Sequence, residues 1–330
     1  MRVALATGLL LLQGQPQALG GAGGNSMVDF GYYWGRSSND AHFGPTVWPE
    51  LAAFAPHSTT TIVMNGGANA SAIARADILA IKELMARNMT AILGSPGNVL
   101  TVAQGAMQPD YRARWTDYWA LVKPYASGIL AFYPFDEPTA AEMVNYTICV
   151  QLIKKAVPTI PIAAVVTPSS AKGIEYGAFS LPPEVDWIGF DNYGCWAEAE
   201  CEQLGKCCWE NRTMPHNLGV IANYAKKRGG KVVVVPDAEH NVAYSTGCGM
   251  AGQPKCVVPD TTQQFKARID QKYFDWCAAE DLCVAYLPFL WNTVHTQRYE
   301  IIGAADQPIL LKALTQFGTQ IKHRVWEWGA

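Results

Sequence analysis

The sequence predicts a (β/α)8 barrel, the TIM-barrel fold, in a single domain. The chain has 330 residues, of which 49% are hydrophobic and 16% charged, so it can bury one large core. Eight short apolar runs recur along it, each followed by polar or aromatic residues. Segments with helical periodicity separate the runs, and eight such β/α units in about 300 residues match the size of this barrel.

The eight runs are continuously apolar and rich in Val, Ile and aromatic residues, which is typical of parallel strands covered on both faces. In chain order they are 27–34, 59–66, 89–95, 128–135, 160–166, 185–193, 231–237 and 283–291. The predicted helices are 45–56, 71–87, 109–126, 139–156, 172–180, 217–228, 261–280 and 308–322. An open doubly wound sheet is the main alternative. Its glycine-rich phosphate turn is missing, because GYYWGRSSND (31–40) stands at that place.

Two predicted helices begin with capping boxes, Thr139-Ala-Ala-Glu142 and the glutamine version Thr261-Thr-Gln-Gln264. Because Thr139 and Glu142 satisfy the start of the fourth helix, Asp136 and Glu137 belong to the end of the fourth strand or its loop. A purely structural role for these acids is the alternative, since carboxylates near a helix N-terminus gain from its dipole.

Residues 1–24 predict a secretory signal peptide, which leaves 25–330 as the barrel domain. Arg2 precedes the apolar segment VALATGLLLL, and small residues follow. No other stretch has about 18 uninterrupted apolar residues, so we expect a secreted protein without a membrane partner. The formal net charge of -3 and the lack of a long basic run argue against nucleic acid. We expect a monomer.

Nine cysteines agree with an oxidising compartment. They fall into three groups, with Cys149 left over: Cys195, Cys201, Cys207 and Cys208; Cys248 and Cys256; Cys277 and Cys283. A zinc site is the alternative for the first group, but it has no CxxC pair and only His216 nearby, so disulfides are favoured. We expect them in insertions between strands and helices, with the pairing left open.

Four Asn-x-Ser/Thr sequons are candidate glycan sites: Asn69, Asn88, Asn145 and Asn211. Asn88 lies so close to a predicted strand that glycosylation is not expected there.

Polar and aromatic side chains gather after the apolar runs, at the edge where such a barrel has its active site. The set is acidic and aromatic with few cations, which favours a sugar as ligand. It comprises Tyr33, Trp34, Asn65, Asp136, Glu137, Asp191, Asn192, Tyr193, Asp237, Glu239 and Trp291. Tryptophan faces suit a pyranose ring, while Asn and Tyr side chains orient hydroxyl groups.

Glu137 and Glu239 are the candidate catalytic pair. Cleavage of a glycosidic bond needs an acid for the departing oxygen and a carboxylate on the opposite face of the sugar. The fourth and seventh strands lie on roughly opposite sides of an eight-stranded ring, so the two glutamates can face each other. For its role as acid, we expect apolar surroundings and neighbouring carboxylates to raise the pKa of Glu137.

At these residues the chain resembles the clan A glycoside hydrolases, retaining enzymes with a TIM barrel. Their acid/base glutamate follows an asparagine at the end of strand four, commonly as Asn-Glu-Pro, where this chain reads Asp136-Glu137-Pro138. Their nucleophile ends strand seven, and the sequence VVVVPDAEH places Glu239 in or just beyond that position. The resemblance is motif-level and covers the architecture of the mature chain.

The same resemblance implies two further roles. Tyr193 in DWIGFDNYG would hydrogen-bond the nucleophile, and Trp291 in FLWNT would lie under the sugar at the cleaved bond. Two departures leave the substrate and the stereochemistry open. Asp136 replaces the family's asparagine, and the offset of Glu239 leaves Asp237 as a rival nucleophile.

Other chemistries have less support. His240 beside Glu239 lacks the spacing of hydrolytic metal sites, so we expect no metal and no cofactor. The chain has no Gly-x-Ser-x-Gly elbow, and AFYPFDE lacks the alternating acids of chitinase-like barrels. The alternative of another class is a barrel that binds carbohydrate in the same cleft and cleaves nothing.

Overall fold

The structure is a computed structural model that describes residues 27–32, 50–102, 105–192, 213–243, 256–295 and 299–328. Several predicted features lie outside these ranges: the signal segment, Tyr33, Trp34, Tyr193, the cysteines between 195 and 208, Cys248 and the sequon at Asn211.

Eight parallel strands form the barrel, and each lies within one of the eight apolar runs. They are β1 (Asp29–Phe30), β2 (Thr60–Val63), β3 (Thr90–Leu93), β4 (Ile129–Phe132), β5 (Ala163–Val166), β6 (Trp187–Asn192), β7 (Lys231–Pro236) and β9 (Cys283–Tyr286). The predicted strands are therefore confirmed.

The strands close into a ring. Hydrogen bonds order one sheet as β1, β9, β7, β6 and β5 and the other as β2, β3 and β4. At one junction the Phe132 amide donates to Pro161, just before β5, at 2.9 Å. At the other, the Thr59 amide donates to Phe30 at 2.7 Å and the Ile62 amide to Tyr32 at 3.2 Å. This nearly closed ring confirms the predicted barrel and excludes the open doubly wound sheet.

Alternate strand residues fill the inside of the barrel, as the two-residue period of a strand requires. The interior cluster includes Ile62, Ile92, Ala131, Tyr133, Val165, Val233, Val235 and Leu287. On β6, Gly189 faces Val165 of this cluster. Asp191, two residues further on, therefore lies on the interior face at the carboxyl end of the strand.

Helices surround the barrel. They are α1 (Leu51–Phe54), α2 (Ala70–Met85), α3 (Ser95–Leu100), α4 (Tyr111–Val122), α5 (Met143–Ala156), α6 (Pro168–Glu175), α7 (Met214–Lys227), α8 (Asp260–Ala279) and α9 (Pro308–Trp328). The short α3 was not predicted. Three 3-10 segments, Ala55–His57, Lys123–Gly128 and Ala304–Asp306, complete the described helical turns.

Both predicted capping boxes were wrong in detail. The Thr139 amide and hydroxyl both donate to the Glu142 carboxylate, at 3.0 and 2.8 Å, so the glutamate half of the box forms, but the N-cap residue of α5 is Glu142 and not Thr139. The four residues form a turn, and α5 begins only at Met143. Helix α8 begins at Asp260, before Thr261, and Pro259 is its N-cap residue. Asp136 and Glu137 still precede the helix, so their assignment to the loop after β4 holds.

A small antiparallel sheet lies beyond the barrel strands and was not predicted. It consists of β8 (His240–Ala243), β10 (Val294–His295) and β11 (Tyr299–Ile302), with β11 in the centre. Glu239 lies in the three-residue connection between β7 and β8. This explains its offset from the apolar run.

A disulfide joins Cys277 at the end of α8 to Cys283 at the start of β9, a pairing that the sequence left open. Cys256 is also disulfide-bonded, and Cys149 is buried with a free thiol. Among the described helices, none has the length and hydropathy needed to cross a membrane.

Candidate active site

Glu137 follows β4 in a strained backbone conformation. Its φ angle of 44° lies in the left-handed region, which residues other than glycine seldom adopt. The side chain is half-buried between the buried Phe135 and Pro138 on one side and the exposed Asp136 on the other. Burial raises the pKa of Glu137, and the neighbouring Asp136 charge raises it further. The raised pKa expected from the sequence, and both of its causes, are confirmed.

Asp191 contacts Glu137 from the end of β6, which is separated from β4 by one strand of the ring. Its side chain is only 4% exposed, and it makes a hydrogen bond with the Glu137 side chain that partly offsets the rise in the pKa of Glu137. Two carboxyl groups in contact share a proton more readily than they ionise together. The loop after β4 and the end of β6 thus meet in a carboxyl pair.

Asp136 accepts a hydrogen bond from the Tyr133 hydroxyl at 2.7 Å. Tyr133 belongs to the interior cluster of the barrel, so this bond anchors the exposed Asp136 to the barrel wall. The anchor holds the Asp136 charge beside Glu137.

Glu239 and Asp237 follow β7, next to β6. Asp191 pairs in register with Val235 of β7, so the carboxyl pair lies beside the strand that leads into these acids. Glu239 is 5% exposed. Asp237 accepts from the Glu239 amide at 3.0 Å with one oxygen and forms an ion pair with Lys266 at 2.8 Å with the other. Both Asp237 oxygens are therefore engaged within the protein.

Lys266 is the site residue that sequence reasoning missed. It lies on α8, 27 residues beyond Glu239, and its Nζ also donates to the Glu239 carbonyl oxygen. A lysine in an amphipathic helix gives no sequence signal of burial. The one hint in the sequence is helical spacing, since Gln263, Lys266 and Asp270 lie at intervals of three and four and so share one face of the helix. The structure shows that all three side chains on this face are buried.

Asn65 lies apart from the carboxyl pair. Its amide donates to Asp77 of α2 at 2.8 Å, and Asp77 also accepts from Ser95 at 2.7 Å and from Tyr118 at 2.6 Å. Burial raises the pKa of Asp77 to about 6, although the three hydrogen bonds act to lower it. The network ties β2 and β3 to α2 and α4, and the predicted contact of Asn65 with a sugar stays a prediction.

Trp291 packs in an aromatic cluster at the end of β1 and is only 3% exposed. Its ring centroid lies 4.6 Å from that of Tyr32 and 5.2 Å from that of Phe54, both edge to face. The Tyr32 hydroxyl is 3.1 Å from Nε2 of the buried His57. Burial and the Lys322 charge lower the pKa of His57 to about 4, so this cluster is neutral.

The structure shows fewer contacts for the remaining predicted site residues. Asn192 ends β6, where it pairs in register with Pro236 of β7. Tyr33, Trp34 and Tyr193 lie outside the described residues. Within the described ranges, no group of three or more His, Cys, Asp or Glu side chains is arranged to hold a metal ion.

Comparison with known proteins yields structural likeness without sequence likeness. No protein family and no curated protein matches the chain. A GH10 xylanase from Thermobacillus composti superposes with a TM-score of 0.51 at 12% identity, over 89% of this chain and 97% of the xylanase. A GH5 mannosidase from Rhizomucor miehei superposes with a TM-score of 0.51 at 10% identity, over 84% of this chain and 87% of the mannosidase.

A GH5 enzyme from Prevotella bryantii, bound to a xyloglucan tetradecasaccharide, gives a TM-score of 0.51 at 11% identity, over 89% of this chain and 97% of that enzyme. At such low sequence identities, the superpositions are evidence for the fold alone. The chain has the (β/α)8 barrel architecture that GH10 and GH5 glycoside hydrolases use.

Proposed function

We propose that this protein is a secreted glycoside hydrolase that cleaves O-glycosidic bonds in a polysaccharide or oligosaccharide. The observation that carries the proposal is the group of carboxyl side chains at the carboxyl ends of β4, β6 and β7, where barrels of this kind carry their active sites. Glu137, Asp191 and Glu239 belong to it. Hydrolysis of a glycosidic bond is a reaction for which paired carboxyl groups suffice.

Glu137 is the proposed general acid/base. A general acid has to be protonated at the operating pH, and the burial and the Asp136 charge that raise its pKa favour this state. The left-handed backbone at Glu137 adds support, because a strained residue of this kind costs about 1 kcal/mol or more and is concentrated at functional sites.

Glu239 is the proposed nucleophile. Asp237, its rival, has one carboxylate oxygen on the Glu239 amide and the other on Lys266, so attack on a sugar by either oxygen would compete with one of these contacts. In the first step the Glu239 carboxylate bonds to the anomeric carbon while Glu137 transfers its proton to the departing oxygen. In the second, water attacks that carbon, Glu137 takes the proton of the water, and Glu239 leaves.

The remaining residues shape the substrate site in this proposal. Asp191 holds the Glu137 carboxyl group, and Asp136, Asn192, Tyr193 and Asn65 orient sugar hydroxyl groups. Tyr33 and Trp34 supply aromatic faces for pyranose rings, whereas Trp291, packed against Tyr32 and Phe54, has too little exposed surface to stack on a sugar. The structural neighbours named above are a xylanase, a mannosidase and an enzyme bound to xyloglucan, which supports a glycan as the substrate.

Secretion and glycosylation are part of the proposal. The apolar segment near Arg2 and the disulfide between Cys277 and Cys283 support passage through an oxidising compartment. Of the sequons, Asn69 is exposed at the start of α2, where an attached glycan has room.

The test is a turnover screen of the secreted protein on β-linked polysaccharides and aryl glycosides, with Glu137→Gln and Glu239→Gln alongside. We expect either variant to lose at least about a hundredfold in kcat while its circular dichroism spectrum and Tm stay close to those of the wild type. Asp117→Asn, an exposed carboxylate of α4, is the matched control and should keep full activity. Glycan binding without turnover in the wild type would instead identify a catalytically silent carbohydrate-binding barrel.

A further inference from the structure

We propose that Lys266 is a positioning residue that, together with Asp237, clamps the backbone on both sides of Glu239 and so fixes the direction of its carboxylate. The proposal rests on the proposed function in one respect: it takes Glu239 as the second catalytic carboxylate. The clamp itself is a structural claim about residues 237–239 and can be tested without any substrate.

The clamp holds both peptide groups of Glu239. Asp237 accepts from the Glu239 amide at 3.0 Å, while Lys266 donates to the Glu239 carbonyl oxygen. The two side chains are themselves joined by the 2.8 Å ion pair. Three contacts therefore link Asp237, Glu239 and Lys266 to one another. The Asp237–Lys266 ion pair supplies both the acceptor for the Glu239 amide and the donor to the Glu239 carbonyl oxygen.

Neighbouring elements fix the rest of the connection between β7 and β8. The Ala238 amide donates to the Phe289 carbonyl oxygen at 2.5 Å, and the Gln307 side chain donates to the Ala238 carbonyl oxygen at 3.1 Å. Gln307 is fully buried directly before α9. The connection is thus held from α8, from the segment after β9 and from the start of α9, so the Glu239 side chain is attached to a rigid base.

A buried lysine is a costly means of holding a loop. Lys266 is 8% exposed, and replacing a buried ion pair with apolar residues is often neutral or stabilising in proteins. Stability alone therefore does not require this pair. A nucleophile, by contrast, gains rate from being held in line with the anomeric carbon, and a displacement of about 1 Å can cost about a hundredfold.

The other acid near Lys266 does not compete for it. Asp270 lies one turn further along α8 and is fully buried. Burial and the Asp237 charge raise the pKa of Asp270 well above its usual range, although the Lys266 charge opposes this. The raised pKa favours the protonated form of Asp270, which leaves the Lys266 charge chiefly to Asp237 and the Glu239 carbonyl oxygen.

The experiment compares four variants of the full chain, one of them Lys266→Arg, with the wild type. Lys266→Met removes the clamp, and Asp237→Asn/Lys266→Met removes both charges so that no buried charge is left unpaired. Arg268→Met, an exposed cation of the same helix, is the matched control. Steady-state kinetics on the best aryl glycoside and hydrogen exchange of the Glu239 amide are measured at a temperature well below the lowest Tm.

We expect both clamp variants to lose about a hundredfold in kcat, with KM changed less than about twofold, because a misplaced nucleophile affects the transition state rather than ground-state binding. The Glu239 amide should exchange at least about tenfold faster in Lys266→Met than in Arg268→Met. Lys266→Arg, which keeps a charged donor, should recover part of the lost kcat.

Three results separate the possible failures. An unchanged exchange rate at Glu239 in both clamp variants would overturn the clamp, whatever the activity. Faster exchange with unchanged kcat would overturn the positioning role. If the wild type turns over no glycoside, the proposed function fails, and the exchange data alone then support or overturn the clamp.

Discussion

At the scale of single residues, the mouth of the barrel separates its carboxyl groups by environment. Glu137 is half-buried beside the Asp136 charge and bonded to Asp191, whereas Asp237 is held by a lysine. The environment of Glu137 therefore favours its protonated form. Asp136 is the most accessible of these groups and the simplest to change.

Asp136→Asn should move the basic limb of the kcat/KM profile to lower pH. In the proposed mechanism Glu137 acts in its protonated form, so activity should be lost as the pH rises through its pKa. The Asp136 charge raises that pKa, and its removal lowers it. The amide oxygen that this substitution introduces can still accept from the Tyr133 hydroxyl, which keeps the loop in place.

The shift is expected to be downward in pH and is measured on an aryl glycoside. Asp117→Asn, far along α4 and exposed, should leave the limb in place. A basic limb that stays fixed or moves upward in Asp136→Asn would show that Glu137 is not the titrating acid.

Residue-level prediction from sequence succeeded where the surroundings are local. The raised pKa of Glu137 follows from the apolar run before it and the acid beside it. Lys266 could not be found in this way, because its contact with Glu239 joins two elements 27 residues apart. The hydrogen bond between Glu137 and Asp191 likewise depends on the ring bringing the ends of β4 and β6 together.

At the scale of elements, the barrel strands were predictable from the sequence, and the small antiparallel sheet beyond them was not. A continuous apolar run in a barrel is buried on both faces, so composition alone marks it. The strands β8, β10 and β11 have two to four residues each and are stabilised by pairing with one another, which local sequence does not encode. The helix starts at Met143 and Asp260 also differ from the predicted starts, because tertiary contacts determine which of several possible first turns forms.

Removal of the disulfide between Cys277 and Cys283 should lower stability without affecting catalysis. The bond closes a loop across six residues, for which chain entropy gives about 2 kcal/mol. It lies at the start of β9, the opposite end of the barrel from Glu137 and Glu239. Cys277→Ala/Cys283→Ala is therefore expected to unfold at lower urea concentration with kcat unchanged.

Cys149→Ala is the matched control, since it removes a buried free thiol and no covalent bond. Its loss of unfolding free energy should be smaller than that of the double variant. Equal losses in the two proteins would mean that packing, rather than the cross-link, accounts for the effect.

At the scale of the whole molecule, length and the recurrence of apolar runs were sufficient to predict the barrel, because few folds bury eight parallel strands in about 300 residues. The location of the site followed from the fold, since the carboxyl ends of parallel strands meet at one edge. The proposed roles of the acids did not follow from the fold. Asp237 and Glu239 are two residues apart in sequence, and only the structure shows that both Asp237 oxygens are engaged, one by the Glu239 amide and the other by Lys266.

Chemical rescue with azide separates these two acids and tests the mechanism of the whole site. In Glu239→Ala, azide can occupy the space of the missing carboxylate and bond to the anomeric carbon, while Glu137 protonates the departing aryl oxide. We expect restored turnover and a glycosyl azide of the opposite anomeric configuration, identified by NMR. In Glu137→Ala, Glu239 still forms the glycosyl-enzyme from an activated aryl glycoside, and azide then displaces Glu239 to give a glycosyl azide of retained configuration. Rescue of Asp237→Ala in place of Glu239→Ala would make Asp237 the nucleophile, and a wild-type product of inverted configuration would exclude the covalent intermediate.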